Sequence, residues 1–312
     1  MTARSITICI AIVGMLLTCW PLACQAATVI AAVMSNDSAR YREAHRALVK
    51  SLAARGYTSP PVEFVMQTPT APDPPSVSLA VKKLNAVRPS LIIAYGAPAA
   101  LTATRETEGI PVVSVDIYSA EKPLAGMCGA SSRVPLVTLI KTLLEIRPYR
   151  RLGVLYNSRE AGSMRQFDDL RKAAAQHGMV VNEANAATPE ALDHLLPSLL
   201  DRSDVVVATE SSVVERHLEK LIQRSKTRNI PVIAVLPDAS ERGAMISLEV
   251  NPQEQGHLAA DIATRILEGA RPDHLPLLSP RRVALVINLR TAREMGISIP
   301  FAVLSSATRI IK

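Results

Sequence analysis

Aromatic residues make up only 3% of the 312-residue chain, so Ala, Val, Leu and Ile have to fill its cores. Cysteine is scarcer still in the part expected to fold. Of four cysteines, Cys9, Cys19 and Cys24 fall in a leader-like N-terminus, which leaves Cys128 alone and excludes an internal disulfide. Beyond that N-terminus no apolar run approaches the roughly 20 residues a membrane span needs, so no stable membrane insertion is expected. A charge of one sign is lacking too. Lys and Arg number 35 against 28 Asp and Glu, a net charge of +7, and apart from doublets such as Lys82-Lys83 and Arg281-Arg282 they are interleaved with acids. Nucleic-acid binding requires a concentrated basic face with stacking aromatics, and neither is present, so no nucleic acid is expected as a partner.

The familiar catalytic signatures are also missing. There is no Gly-x-x-x-x-Gly-Lys phosphate loop, no Gly-x-Gly-x-x-Gly and no Gly-x-Ser-x-Gly elbow. The histidines His45, His177, His194, His217, His257 and His274 are scattered, with no pair at metal-ligand spacing beside a carboxylate. No metal and no cofactor is expected. Cys128, between Gly126 and Gly129, reads as a small buried side chain, with a thiolate nucleophile as the alternative.

The first residues form a secretory leader. Arg4 supplies the positive end, Ile6 to Leu17 the apolar segment, Pro21 a break, and Ala23, Ala26 and Ala27 the small residues around a cleavage site expected after Ala26. Pro21-Leu22-Ala23-Cys24 resembles a lipoprotein box, but Pro21 stands where Leu is usual. The expectation is an exported, periplasmic chain without lipid on Cys24.

What remains alternates strand and helix. Apolar runs at Thr28–Met34, Val62–Met66, Ser90–Tyr95 and Ile110–Val115 are separated by helical patterns at about 38–55 and 77–87, with Pro98 opening a further helix. The alternation pauses after Asp116. It resumes with strands at Arg151–Tyr156, from Val180, at Asp204–Ala208 and at Ile230–Val235, and with helices at 162–177 and 191–200. Such an order forces parallel sheets with helices on both faces. The Ile-Pro-Val runs at 110–115 and 230–235, and the apolar runs at 89–94 and 203–208, recur in the same order. That points to two lobes of one topology. Asn251-Pro252-Gln253-Glu254 opens one more helix, ended by Gly269. The remaining elements, a strand at Val283–Ile287 and a short helix near Thr291–Met295, are too few for a third domain, so the chain has to cross between the lobes more than once.

In open parallel sheets, ligands bind outside the carboxyl ends of the strands. Those ends read Ser35-Asn36-Asp37-Ser38, Tyr95-Gly96-Ala97-Pro98, Asp116-Ile117-Tyr118, Asn157-Ser158-Arg159-Glu160, Thr209-Glu210-Ser211-Ser212 and Pro237-Asp238. The candidate ligand-binding residues are therefore Asn36, Asp37, Tyr41, Tyr95, Gly96, Ala97, Asp116, Asn157, Glu160, Glu210 and Asp238. Helix N-termini aimed into such a cleft suit an anionic group. The alternative for each Asn, Asp or Ser is a plain helix cap.

These residues carry a resemblance. Val286-Ile287-Asn288-Leu289-Arg290-Thr291-Ala292 with Gly296-Ile297 and Ile299-Pro300, together with Tyr95-Gly96-Ala97-Pro98-Ala99, Leu155-Tyr156-Asn157-Ser158 and Gly243-Ala244, are similar to motifs of ABC-transporter substrate-binding proteins of the periplasmic-binding type I fold. More narrowly, they resemble the family of tryptophan- and other amino-acid-binding lipoproteins. The chain departs from that pattern at Ala97, where a small hydroxyl residue is usual, and at Cys128-Gly129-Ala130-Ser131-Ser132, where Gly-Val-Ser-Asp is usual.

The resemblance implies an α/β chain of two Rossmann-like lobes joined by a multi-strand hinge. The N-terminal lobe would take 28–121 and 249–283, and the C-terminal lobe 122–248 and 284–312. It further implies a monomer, not an enzyme, that captures a small-molecule ligand (an amino acid or similar carboxylate) and delivers it to an ABC permease in the inner membrane. No Trp remains once the leader is removed, which favours such ligands over sugars, whose rings commonly stack on Trp. A sensor reporting to a membrane receptor and an exported α/β enzyme using the Cys128 or Glu160 region are the alternatives.

Overall fold

Short strands whose side chains are buried on both faces set the architecture, since a strand such as Leu91–Tyr95 or Val205–Ala208 can be covered only by helices above and below its sheet. The computed structural model describes residues 28–59, 61–70, 73–118 and 126–312. The expected leader, its cleavage site and Cys24 lie outside the described residues. In chain order the first elements are β1 (Thr28–Met34), α1 (Ala39–Ala53), β2 (Val62–Gln67), α2 (Pro74–Ala86), β3 (Leu91–Tyr95), α3 (Ala97–Glu106), β4 (Val112–Ile117) and β5 (Cys128–Ser131). Then come α4 (Leu136–Ile146), β6 (Arg151–Tyr156), α5 (Ala161–Gln176), β7 (Val180–Asn185), α6 (Pro189–Asp201), β8 (Val205–Ala208), α7 (Ser212–Arg216), α8 (Leu218–Lys226), β9 (Val232–Ala234) and β10 (Ile246–Val250). The last are α9 (Pro252–Leu267), β11 (Leu277–Leu278), β12 (Val283–Asn288), α10 (Leu289–Glu294), α11 (Phe301–Ser306) and β13 (Arg309–Ile311).

Three helices start by the same device. Asp73-Pro74, Thr188-Pro189 and Asn251-Pro252 each place a capping side chain on a first-turn N–H and then a proline where no N–H is needed.

The strands form two sheets, ordered β11-β5-β4-β3-β1-β2 and β13-β12-β10-β9-β8-β6-β7. The runs β2-β1-β3-β4-β5 and β7-β6-β8-β9-β10 are one topology used twice, which is what the recurring sequence runs predict. Pairing is parallel throughout except between β10 and β12. Alternate side chains of β1 serve opposite cores: Ile30, Ala32 and Met34 pack with α1 and α9, Ala31 and Val33 with α2 and α3. The second sheet is covered by α4 and α5 on one face and α6 and α8 on the other.

The chain crosses between sheets three times, after β5, after β10 and after β11. Two boundaries differ from the expected ones. The strand Cys128–Ser131, expected in the C-terminal lobe, pairs with β4 and β11 in the first sheet. Gly129 makes this possible: its φ is 129°, and a Cβ there would lie 1.9 Å from the Ser114 carbonyl oxygen. Glu249 and Val250, expected in the first lobe, complete β10 in the second sheet, where they face Ala284 and Val283. Among the described residues no helix is long and apolar enough to cross a membrane.

Candidate functional site

The carboxyl ends of both sheets converge on one cleft. Loops after β1 and β3 bring Ser35, Asn36, Ala97 and Pro98 to it, and α1 brings Arg40 and Tyr41. Loops after β6 and β8 bring Glu160, Gly162, Ser163, Glu210 and Ser212 from the other side. The inner cavity measures about 20 Å³, room for a group the size of one water molecule.

Two helix N-termini from different lobes meet there. In α3 the amide of Ala99 is capped by Ser35 Oγ at 3.0 Å, and that hydroxyl in turn donates to the Tyr95 carbonyl at 2.7 Å. Gly96 holds this corner with φ 80°, and a Cβ on it would lie 2.3 Å from the Tyr41 hydroxyl oxygen. The amides of Ala97 in α3 and of Gly162 and Ser163 in α5 have no protein acceptor among the described residues. They give the cleft uncommitted donors backed by two helix dipoles.

Among the described residues Arg40 is the only cation lining the inner cavity, and its side chain is just 9% exposed. Its Nε lies 3.4 Å from Asp116 Oδ2, its guanidinium 3.9 Å from Glu215 Oε2, and Nη2 donates to the Tyr41 hydroxyl at 3.1 Å. Burial pulls its pKa down, but the oxygens of Tyr41, Asp116, Glu215 and Glu210 more than offset that and hold it above the ordinary value. Asp116 sits at an irregularity of β4 with φ 55°, a left-handed conformation that Asp tolerates, and its N–H donates to Gln255 Oε1 of α9 at 3.2 Å.

The carboxylates of the second lobe play different parts. Glu160 is fully engaged: it accepts from Asn157 Nδ2 at 2.8 Å, Ser211 Oγ at 3.3 Å, Ser212 Oγ at 2.7 Å and the Ser212 amide at 3.0 Å, so it ties the β6 loop to the start of α7. Glu210 accepts one long bond, from Ser132 Oγ at 3.3 Å. Burial, reinforced by the nearby acids Asp116 and Glu160 against the pull of Arg40 and Ser132, pushes its pKa up to about 8. A Cβ on Gly162 would lie 2.2 Å from Glu210 Oε1, so a larger residue would force this carboxyl out of its present position. Across the cavity, Asn36 Oδ1 is buried with no hydrogen-bond partner. An acid poor in donors thus faces an amide oxygen with none, and buried acceptors in that state call for a donor from a ligand.

Beyond Pro98, Glu160 and Ser212, which line both spaces, lies an outer chamber of about 300 Å³. Asp73, Pro74 and Pro98 of the first lobe face Asn157, Arg159, Ala187, Thr188, Pro189, Val213, Arg216 and His217 of the second. The lobes also touch directly. Ser38 Oγ donates to Glu215 Oε1 at 2.7 Å instead of capping α1, in which it makes no side-chain cap bond.

The structure brings Asn36, Tyr41, Ala97, Glu160 and Glu210 to the inner cavity, Asn157 to the outer chamber, and sets Gly96 and Asp116 directly behind them. It does not bring Asp37, Tyr95 or Asp238 there. Asp37 is 72% exposed and pairs with Arg42. Tyr95, an alternating strand residue, turns into the core, where its hydroxyl meets His45 Nδ1 at 3.0 Å. Asp238 joins Glu241 and Glu249 in an acidic group away from the cleft, the one cluster with metal-ligand spacing among the described residues. Arg309 pairs with both of the latter, so the group already holds a cation. Residues the sequence did not single out are Arg40, Ser163 and Glu215. A lone Arg on an amphipathic helix reads as solvated, and only the sequence-distant acids Asp116 and Glu215 reveal its role.

Comparison with known proteins agrees with this geometry. The family model described as ABC transporter substrate binding protein matches residues 28–311. A tyrosine-binding protein of Clostridioides difficile is 22% identical over 263 residues, covering 81% of this chain and 76% of that one. A conserved domain protein of Vibrio cholerae superposes with a TM-score of 0.85 at 26% identity, covering 91% of this chain and 99% of that one. A Streptococcus pneumoniae ABC domain in complex with L-Trp superposes with a TM-score of 0.84 at 20% identity and the same coverage. Solute-binding proteins of the type I periplasmic fold, one with bound myo-inositol, superpose more loosely, at a TM-score of 0.60 for that complex. The chain belongs to the ABC transporter substrate binding protein family.

Proposed function

We propose that the chain captures an amino acid or a similar amino-carboxylate in the interlobe cleft, in the periplasm, and hands it to an ABC permease of the inner membrane. The observation that carries this reading is the pairing of opposite recognition chemistries around one interlobe cleft. Glu210 and Asn36 Oδ1 supply acceptors suited to an ammonium group, and the free amides of Ala97, Gly162 and Ser163 with the Arg40 guanidinium supply donors suited to a carboxylate. The relatives named for tyrosine and bound to L-Trp support the same ligand class.

The ligand contacts in this reading are Asn36, Arg40, Ala97, Gly162, Ser163 and Glu210, with Tyr41, Gly96, Asp116, Asn157 and Glu160 placing their neighbours. The lobes divide as 28–121 with 249–283 and 122–248 with 284–312, except that Cys128–Ser131 goes with the first lobe and Glu249–Val250 with the second. Because both lobes contribute contacts, a ligand gains affinity only when they close, and closure excludes water from the cavity. The chain acts as a monomer that binds without turnover.

Thermal-shift titration with the twenty L-amino acids tests this, with each hit repeated as its N-acetyl and carboxamide derivatives. The reading expects at least one amino acid to raise Tm and both blocked forms to lose the effect. An N-acetyl derivative that stabilises as well as the free amino acid overturns the ammonium assignment.

A further inference from the structure

The outer chamber holds charge that the capture of an α-amino-carboxylate leaves unused. Arg159, after β6, and Arg216, at the end of α7, line it with side chains that have no ion pair or hydrogen bond among the described residues. The acids beside them are committed. Asp73 Oδ1 accepts from the Ser76 amide at 2.8 Å as the cap of α2, and Glu160 is taken up by Asn157, Ser211 and Ser212. Much of the remaining lining is aliphatic, from Pro74, Pro98, Ala187, Pro189 and Val213. Among the described lining side chains the only ring, apart from proline, is the His217 imidazole. A chamber of about 300 Å³ with a largely apolar lining, two guanidinium groups in no ion pair, and carboxylates whose oxygens already accept hydrogen bonds elsewhere matches an extended ligand whose far end is an anion.

Resting on the amino-carboxylate reading above, we propose that the ligand is an amino compound with a distal carboxylate, held by Arg159 and Arg216 while its ammonium group sits by Glu210. Two sources supply that chemistry: an acidic amino acid, whose side chain ends in the carboxylate, and a short peptide, whose C-terminus does. Arginine suits the task because its planar fork of donors matches a carboxylate bidentately.

Calorimetric titration of the full mature chain tests this with matched pairs, L-glutamate against L-glutamine and L-alanyl-L-alanine against its C-terminal amide. The expected result is that in at least one pair the anion binds about ten- to a hundredfold tighter than the amide, the ratio expected for hydrogen bonds to a charged group. The pair that shows the ratio names the source. In R159Q/R216Q the ratio falls to near one while the weaker amide-type binding persists. Both positions are exposed, and an unchanged far-UV spectrum and Tm exclude a folding defect. If anion and amide bind equally, or if the double variant keeps the wild-type ratio, the distal-carboxylate proposal is overturned while the amino-carboxylate reading stands. If none of the four compounds binds and no amino acid shifts Tm, that underlying reading fails, and this proposal with it.

Discussion

Replacing Glu210 by Gln removes a titration that the fold has displaced far from its ordinary place. Burial raises this carboxyl from 4.5 to about 8. Between those values the folded chain holds a proton that the unfolded chain has lost. Stability contributed at this position is therefore complete below about pH 4.5 and declines as pH rises through 8. One proton of difference corresponds to about 1.4 kcal/mol per pH unit. Asp116 is shifted upward by burial as well, and His45 downward, which slopes the opposite way. The comparison that isolates Glu210 is thus wild type against E210Q, not wild type alone. Urea unfolding at half-unit steps from pH 5 to 8 should show the variant gaining on the wild type at close to that slope. Ligand affinity should run the other way. An ammonium group binds the ionised acid, so wild-type affinity for an amino acid should rise by up to about tenfold per pH unit below pH 8, with proton release on binding, and both effects should vanish in E210Q. Parallel stability curves for the two proteins would refute a buried, protonated Glu210, and pH-independent affinity in the wild type would refute its contact with the ammonium.

Two further substitutions separate cleft chemistry from helix construction. Gly162→Ala puts a methyl group where Glu210 Oε1 now lies. The α5 helix gains up to about 1 kcal/mol from the better helix former, which offsets part of the cost of displacing the buried carboxyl, so apo Tm should change little while affinity in the thermal-shift assay falls about tenfold or more. Ser38→Ala removes the bond to Glu215 across the cleft but no cap bond. Affinity should drop about tenfold with apo Tm unchanged, whereas a capping role would lower apo Tm by the equivalent of about 1 kcal/mol and leave affinity alone.

Most of the scaffold was legible because short apolar strands and cap-Pro helix starts are local signals. Leu91–Tyr95, Arg151–Tyr156, Val205–Ala208 and Pro252–Leu267 fall where the sequence pattern puts them, within a residue or two. The pause expected after Asp116 was a failure of those signals. The α4 helix starts at Leu136 after Pro135, with no capping side chain to announce it. The β5 strand, Cys-Gly-Ala-Ser, has little strand propensity of its own and forms because β4 and β11 flank it. At the site, the strand-end rule found the right loops but could not choose side chains within them. Tyr95 and Ala97 are two residues apart, yet one turns to the core and the other to the cavity. Arg40 and Glu215 lie on helices beyond the loops and meet only when the lobes do.

The account centres on closure of two lobes around a bound amino compound, and small-angle X-ray scattering tests it most directly. The chain should be measured alone and with a saturating concentration of the amino acid that gives the largest thermal shift. Capture between lobes predicts that the radius of gyration and the maximum dimension both fall on binding. Superimposable profiles, with calorimetry confirming that the ligand is bound, would contradict it.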